Sequence, residues 1–301
     1  GSHNWLVGMY PEKAQEEYWS DSADVLSSTS FNPTRAKVTP AKGGYKLSGR
    51  WDFSSGCDAA EWAMLGGVAA EGLRWFLVPR RDYTIEDTWF VSGLRGTGSK
   101  DIVIEEAFIP EYRAVNVADL RAGQSPGRSI HGSCNYLIPH TTMLSYTLAA
   151  PVLGMAQGAV DTFEEQVMGR VTYTTGDKLG ENPSVHIRLS EAEAEVHCAR
   201  LIMKYDGEEV FGQARRGEMP SLSQRARCRR NQAYMAKLAV RAVDRLFEAS
   251  GGHVLFNSNP MQRFHRDAHA ASHHFGIHWE TQAEEYGRVR LGLELKNPGR
   301  I

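Results

Sequence analysis

The apolar residues of this chain change their spacing once, close to residue 139, and that change limits the folds open to it. Before it, apolar and polar residues alternate in short runs. Tyr45-Lys46-Leu47-Ser48-Gly49-Arg50-Trp51-Asp52-Phe53 is the clearest, with the period of a half-buried strand. Glu61 to Leu65, Leu73 to Pro79, Tyr83 to Ile85 and Asp101 to Ile104 follow, divided by Gly, Pro or Asp. This pattern predicts a compact antiparallel barrel or sandwich of roughly six to eight short strands. After residue 139 the spacing is helical. One helix is expected over 139–169, rich in small residues (Ala149, Ala150, Gly154, Ala156, Gly158), with a kink or a late start at Pro151. A second is expected over 184–215, with Leu189, Ala192, Val196, Ala199 and Met203 on one face. A third covers 221–249 and stops at Gly251-Gly252, and a fourth covers 276–294. Four long helices in succession predict an antiparallel four-helix bundle. The chain is therefore α+β. Its expected divisions are an opening segment 1–26 with one short helix from Pro11 to Trp19, a β domain over 27–115, a linker over 116–138 and the bundle over 139–301.

Composition removes several classes of function. Lys and Arg number 34 against 36 Asp and Glu in 301 residues, a net charge of -2 without the basic excess of a nucleic-acid binder. No apolar run in the sequence reaches the roughly 18 residues that span a bilayer, so neither nucleic acid nor membrane is an expected partner. Cysteines at 57, 134, 198 and 228 form no CxxC, which excludes a zinc ribbon or a thioredoxin-type pair. Scattered, reduced, buried thiols suit a cytoplasmic protein. No signal peptide is visible, because the given N-terminus has no basic segment followed by an apolar core. The opening Gly1-Ser2-His3, without Met, reads as a proteolytic scar, and the natural chain is expected to begin further upstream.

Nucleotide fingerprints are missing. Gly93-Leu94-Arg95-Gly96-Thr97-Gly98 lacks the GxGxxG spacing and falls between strands, so on spacing alone it is a tight turn. Trp51-Asp52-Phe53-Ser54-Ser55-Gly56-Cys57 ends the longest strand. Its two hydroxyls beside a glycine suit either a capped turn or the edge of a planar ligand. His265, His269, His273, His274 and His278 crowd one segment. If 262–280 were one helix, His265, His269 and His273 would share a face. A solvated structural cluster is the favoured reading, a polar site wall comes next, and a metal site comes last because no acidic partner is evident. No metal is assigned.

These blocks carry a resemblance. Gly43 to Cys57 resembles the middle-domain signature of flavin-dependent monooxygenases with the acyl-CoA dehydrogenase fold. Gly93-Leu94-Arg95-Gly96-Thr97-Gly98-Ser99-Lys100-Asp101 and Phe108-Ile109-Pro110 resemble the next blocks of that family. Ala149-Ala150-Pro151-Val152-Leu153-Gly154-Met155-Ala156-Gln157-Gly158-Ala159 is similar to its first bundle helix, and Arg266-Asp267-Ala268-His269-Ala270-Ala271-Ser272-His273 to its C-terminal site block. The blocks keep the family's order and cover nearly the whole chain. Members that these blocks resemble include the oxygenase components of p-hydroxyphenylacetate hydroxylase and of the bacterial secosteroid hydroxylase.

The resemblance implies an acyl-CoA dehydrogenase-like subunit: N-terminal helices, a β-barrel middle domain and a C-terminal helical bundle that builds a homotetramer. On that pattern, residues 1–26 are a remnant of an N-terminal helical domain that is otherwise missing. It implies a two-component aromatic monooxygenase. A separate NAD(P)H-dependent reductase supplies reduced FMN or FAD, dioxygen is the co-substrate, and a flavin C4a-hydroperoxide hydroxylates a small, phenolic ring in a closed apolar pocket. It implies roles for individual residues. Ser54 would set a hydroxyl on flavin N5, and His273 would act as acid or base beside the peroxide and the substrate. Trp51, Phe53 and Ser55 would line the flavin ring, Ser28 and His3 would meet the substrate hydroxyl, and Arg170 would reach a flavin in a neighbouring subunit. Two alternatives stay open. An acyl-CoA dehydrogenase would use Glu280 as its base, although an exposed helix carboxylate is the favoured reading of Glu280. A non-catalytic flavin-binding protein is the other.

Overall fold

A computed structural model describes residues 2–171 and 176–301; Gly1, the first residue of the expected scar, lies outside the described residues. The chain forms two compact units. The first holds Gly1–Val91, Arg95–His140 and Gln213–Met219, and the second holds Ser92–Leu94, Thr141–Gly212 and Pro220–Ile301.

The first unit opens with two short helices, α1 (Ser2–Val7) and α2 (Glu12–Tyr18). Eight strands follow: β1 (Ser27–Ser30), β2 (Ala36–Ala41), β3 (Gly44–Ser54), β4 (Trp62–Ala69), β5 (Gly72–Pro79), β6 (Thr84–Glu86), β7 (Lys100–Pro110) and β8 (Ala114–Asn116). They sort into two four-stranded sheets, ordered β1-β4-β5-β8 and β2-β3-β7-β6, which is the sandwich form of the expected architecture. The pairing is antiparallel except between β1 and β4, where Ser28 lies opposite Ala63 in a parallel register. Leu47, Trp51, Leu65, Phe76, Ile102 and Ile109 fill the core, each fully buried. Burying such a side chain stabilises a fold by about 1.5–3 kcal/mol. The segment expected as a linker carries regular structure. It contains α3 (Val117–Arg121), capped by the side chain of Asn116, which ends β8, and α4 (Gly127–His131).

The second unit is helical. After a short turn of helix, α5 (His140–Met143), come α6 (Tyr146–Met168), α7 (Pro183–Arg215, its last turn grouped with the first unit), α8 (Leu222–Ala249), α9 (Pro260–Ser272) and α10 (Trp279–Arg290). Helix α6 starts late and keeps Pro151 in its second turn, where the missing N–H forfeits only the bond to the Thr147 carbonyl. The span His140–Met168 is, against the sequence reading, long and apolar enough to cross a membrane by length and composition alone. Its inner stripe (Ala149, Val152, Ala156, Ala159, Val160, Phe163) is fully buried in the helical core. Helix α8 begins with a capping box between Ser221 and Gln224 and packs against α6, α9 and α10.

The fourth expected helix is α10, and an additional helix, α9, precedes it, with a break between them. At that break the His274 Nδ1 accepts the Gly276 N–H at 3.0 Å. A Cβ on Gly276 would lie 2.9 Å from the Ser145 hydroxyl, so any larger residue at this turn would have to displace the side chains around it. The four cysteines are free thiols. Cys57 and Cys228 are buried as expected, whereas Cys134 is half-buried and Cys198 exposed.

Candidate active site

In the first unit the end of β3 is distorted. Trp51 pairs with Ile102 but Ser54 pairs with Lys100, so β3 carries one extra residue, a β-bulge. Phe53 sits in that bulge with φ 58°, a left-handed conformation that disfavours a side chain by about 1–2 kcal/mol. Its neighbours hold it there. The Ser30 hydroxyl donates to the Asp52 carbonyl at 2.6 Å, the Ser55 N–H donates to the Phe53 carbonyl at 3.0 Å, and the Gly56 N–H donates to the Thr97 carbonyl at 2.8 Å. The outcome is an aromatic ring pushed outward, 64% exposed, with Trp89 edge-on at 6.0 Å.

The bulge also sorts the two serines. Ser54 turns inward, is fully buried and donates to the Ser28 hydroxyl at 3.0 Å. Ser55 is exposed, and its hydroxyl shares a hydrogen bond of 2.7 Å with Ser99, which shares another of 2.7 Å with Thr97. An exposed aromatic face beside a chain of three hydroxyls fits a planar, amphipathic group, stacked on one side and hydrogen-bonded along an edge. That is the shape of a flavin ring.

Other expected site residues fall nearby or elsewhere. The His3 Nδ1 meets the Ser27 carbonyl, and the Tyr18 hydroxyl donates to the Ser27 hydroxyl at 3.1 Å. His3 and Ser28 thus meet adjacent residues of β1. His3 lines a small cleft of about 230 Å3 with Asn4, Asp24 and Leu26. Burial pushes its pKa down against the opposing carbonyl bond. Ser28, expected to meet the substrate, is fully buried with its hydroxyl engaged by Ser54. Trp51, expected to line the flavin, is a correction: it is fully buried in the sandwich core, its indole N–H on the Gly66 carbonyl at 2.7 Å. The alternation that made β3 recognisable is what turns Trp51 inward.

In the second unit α9 ends one residue before His273, which serves as its C-cap and is exposed. His273 therefore does not continue the expected helical face. His265 and His269 do share one, with ring centroids 4.5 Å apart. They meet Asp244 of α8, whose Oδ1 lies 3.3 Å from the His265 Nε2 and 2.7 Å from the His269 Nε2. Sequence spacing along one helix could not reveal this acidic partner, because it stands on another. Burial, and the neighbouring His269 charge, lower the His265 pKa against the pull of Asp244.

Arg170 donates to the Ser250 carbonyl at 2.6 Å, at the C-terminal end of α8 where a cation is favoured. Glu280 stands in the first turn of α10 with its side chain 75% exposed, beside His278 at 3.4 Å, in the solvated setting favoured for it.

The short segment Ser92–Leu94 belongs to this unit. Leu94 has φ 54° and donates its N–H to the Asp267 carboxylate at 2.6 Å. Arg266 donates to the Ser92 carbonyl from the same helix turn. Reading 93–98 as a bare turn missed this strain. The Arg266-Asp267 pair was visible only as a block, with no signal of what it held.

Comparison with known proteins follows the same lines. A family described as acyl-CoA dehydrogenase, C-terminal domain, matches residues 146–279. The chain is 36% identical to the flavin-dependent monooxygenase oxygenase subunit HsaA of Rhodococcus jostii (strain RHA1), over 98% of this chain and 78% of that protein. It is 35% identical to the oxygenase component of an FADH(2)-dependent resorcinol hydroxylase from Rhizobium sp. (strain MTP-10005), over 98% and 76%. The crystal structure of 3-HSA hydroxylase from Rhodococcus sp. RHA1 superposes with a TM-score of 0.93 at 34% identity, covering 99% of this chain and 78% of that one.

Proposed function

The chain belongs to the oxygenase subunits of flavin-dependent monooxygenases built on the acyl-CoA dehydrogenase fold, and from that premise we propose that it hydroxylates a small phenolic ring. The reduced flavin, FMN or FAD, comes from a separate reductase in the cytoplasm. The observation that carries this reading is the likeness to HsaA over 98% of the chain. A resorcinol hydroxylase among the relatives supports a phenol as substrate.

When bound, reduced flavin activates dioxygen so that one oxygen atom can be transferred to an electron-rich ring. The residues of this chain bind, orient and manage protons. Phe53 supplies an apolar face for the flavin, with Trp89 behind it. Ser55, backed by Ser99 and Thr97, is the accessible hydroxyl for the flavin edge. Ser54, which donates to Ser28 and holds the turn from inside, is the proposed acceptor for flavin N5–H through the lone pairs that bond leaves open. His273, exposed at the end of α9, is the proposed acid or base for the phenolic proton. His3 is the proposed contact for the substrate hydroxyl. Arg170, with one N–H on the Ser250 carbonyl, is the proposed reach to a flavin in a neighbouring subunit through its remaining donors. A homotetramer is part of the proposal by family likeness. Excluding water is the common requirement, because a reactive oxygen species that meets stray protons is lost as peroxide.

The test supplies chemically reduced flavin, a phenol such as resorcinol, and 18O2. One 18O atom in the hydroxylated product establishes the reading. Oxidised flavin and hydrogen peroxide without product, across a panel of phenols, sinks it. His273→Ala is expected to lower product per flavin oxidised while flavin affinity persists. Bleaching of oxidised flavin by acyl-CoA thioesters, lost in Glu280→Gln, would favour the dehydrogenase instead.

A further inference from the structure

We propose that Asp244, His265 and His269 form a binding site for a divalent transition-metal ion of the zinc class, clipping α8 to α9. The three side chains offer one carboxylate oxygen and two imidazole nitrogens, a donor set suited to such ions. Their candidate ligand atoms all lie within 4.8 Å of one another. A tetrahedral ion with bonds of about 2.0–2.1 Å holds its donors about 3.3 Å apart. The Asp244 to His265 separation is 3.3 Å, and the Asp244 to His269 separation of 2.7 Å needs to open by only a fraction of an ångström.

The framework is set in advance. His265 and His269 are one turn apart on α9, so their rings project the same way. The His265 ring is stacked on Phe247 at 4.1 Å, 24° from parallel, which limits its rotation. Asp244 is not taken up by a stronger cation. The neighbouring Arg241 and Arg245 pair with Glu191 and Glu195, and the ion pairs of Asp244 among the described residues are to the two histidines. The site is reachable. Asp244, His265 and His269 keep 37%, 31% and 41% of their side-chain surface, and Asp244 lines an open groove of about 460 Å3. Three protein ligands leave a fourth position for water.

The test titrates the full chain, free of flavin, with Co2+ and then Zn2+. One equivalent of Co2+ is expected to bind, with the visible absorption of a four- or five-coordinate ion, and Zn2+ is expected to displace it. His265→Gln and His269→Gln should each weaken binding at least tenfold while the circular dichroism stays that of the parent. Zn2+ should raise the melting temperature of the parent and leave that of the Gln variants unmoved. Equal binding by parent and variants, or no saturable binding, overturns the proposal. Because the readout is metal and not product, it stands or falls apart from the hydroxylase reading.

Discussion

Gly93→Ala is expected to loosen the second unit, and the structure sets the size of the effect. A Cβ on Gly93 would lie 2.2 Å from the Arg266 carbonyl oxygen, 2.7 Å from its carbon and 3.0 Å from the Ala270 Cβ. Two of those atoms are helix backbone, so the 92–94 segment has to lift away from α9. Lifting breaks the bond from the Leu94 N–H to the Asp267 carboxylate, a hydrogen bond to a charged group worth about 1.5–3 kcal/mol. It also breaks the exposed bond from Arg266 to Ser92, and residual crowding against the helix adds about 1 kcal/mol or more. Against this, Leu94 escapes its left-handed conformation and recovers about 1–2 kcal/mol. The balance is a loss of about 1–3 kcal/mol, or roughly 2–5 °C in melting temperature for a chain of this size. Gly96→Ala is the control three residues on. Nothing lies within 4 Å of its added Cβ and its φ is not positive, so its effect should stay within about 0.5 kcal/mol. Differential scanning fluorimetry and urea titration of both variants decide the matter. A Gly93→Ala protein as stable as the parent, or a Gly96→Ala protein equally damaged, refutes the reasoning.

Three further outcomes are expected. Phe53→Gly should leave stability unchanged or raise it by about 0.5–1 kcal/mol, because strain relief outweighs the entropy of glycine, yet reduced-flavin affinity should fall about tenfold; unchanged affinity in equilibrium dialysis would remove Phe53 from the site. His274 has its pKa pushed down to about 4, by burial first and by the Arg229 charge second. The unfolded chain then binds the extra proton first, so stability should be full above about pH 6.5 and fall as pH drops toward 4; His274→Asn, which can still accept the Gly276 N–H, should flatten that limb of a urea-midpoint profile against pH. Asp206 is fully buried and accepts from Tyr146 at 2.5 Å, from Asn231 at 2.8 Å and from Arg227. Asp206→Ala should cost about 3–5 kcal/mol by thermal melt, and a loss under 1 kcal/mol would show that water replaces the carboxylate.

The parts of the fold legible in the sequence were those set by side-chain period. Tyr45, Leu47 and Trp51 face one side of β3 as their alternation requires, and Ala192, Val196 and Ala199 are buried along one face of α7. Period also limited what could be read. It gives no sign of the α9–α10 break, where a histidine accepting the Gly276 N–H ends the single helix over 262–280 that the histidine spacing raised. At the site, residue type was legible and direction was not. Ser54 and Ser55 look interchangeable in sequence. The bulge that sends one inward and the other outward arises from the pairing of β3 with β7, about fifty residues apart in the chain, which no local pattern records. Asp244 escaped notice for the same reason, because its partners are on another helix.

Among the described residues, Phe53 and Leu94 are the non-glycine residues with positive φ, and each lies inside a block that carried the family resemblance. Strain of this kind persists only where surrounding contacts outweigh it, and here the contacts can be named: Ser30 and Thr97 brace the turn at Phe53, and Asp267 holds the N–H of Leu94. Glycine at either position would satisfy the backbone without those braces. A bulky side chain kept in a conformation that disfavours it therefore points to a requirement for the side chain itself or for the fixed shape around it. At Phe53 the side chain answers, because its ring is exposed and contributes little to the core. At Leu94 the shape answers, because the bond to Asp267 ties the segment leading into Arg95–Thr97 to the helix that ends at His273. The resemblance and the strain are then two records of one constraint: the chain keeps awkward backbone inside the very blocks that carry the family likeness.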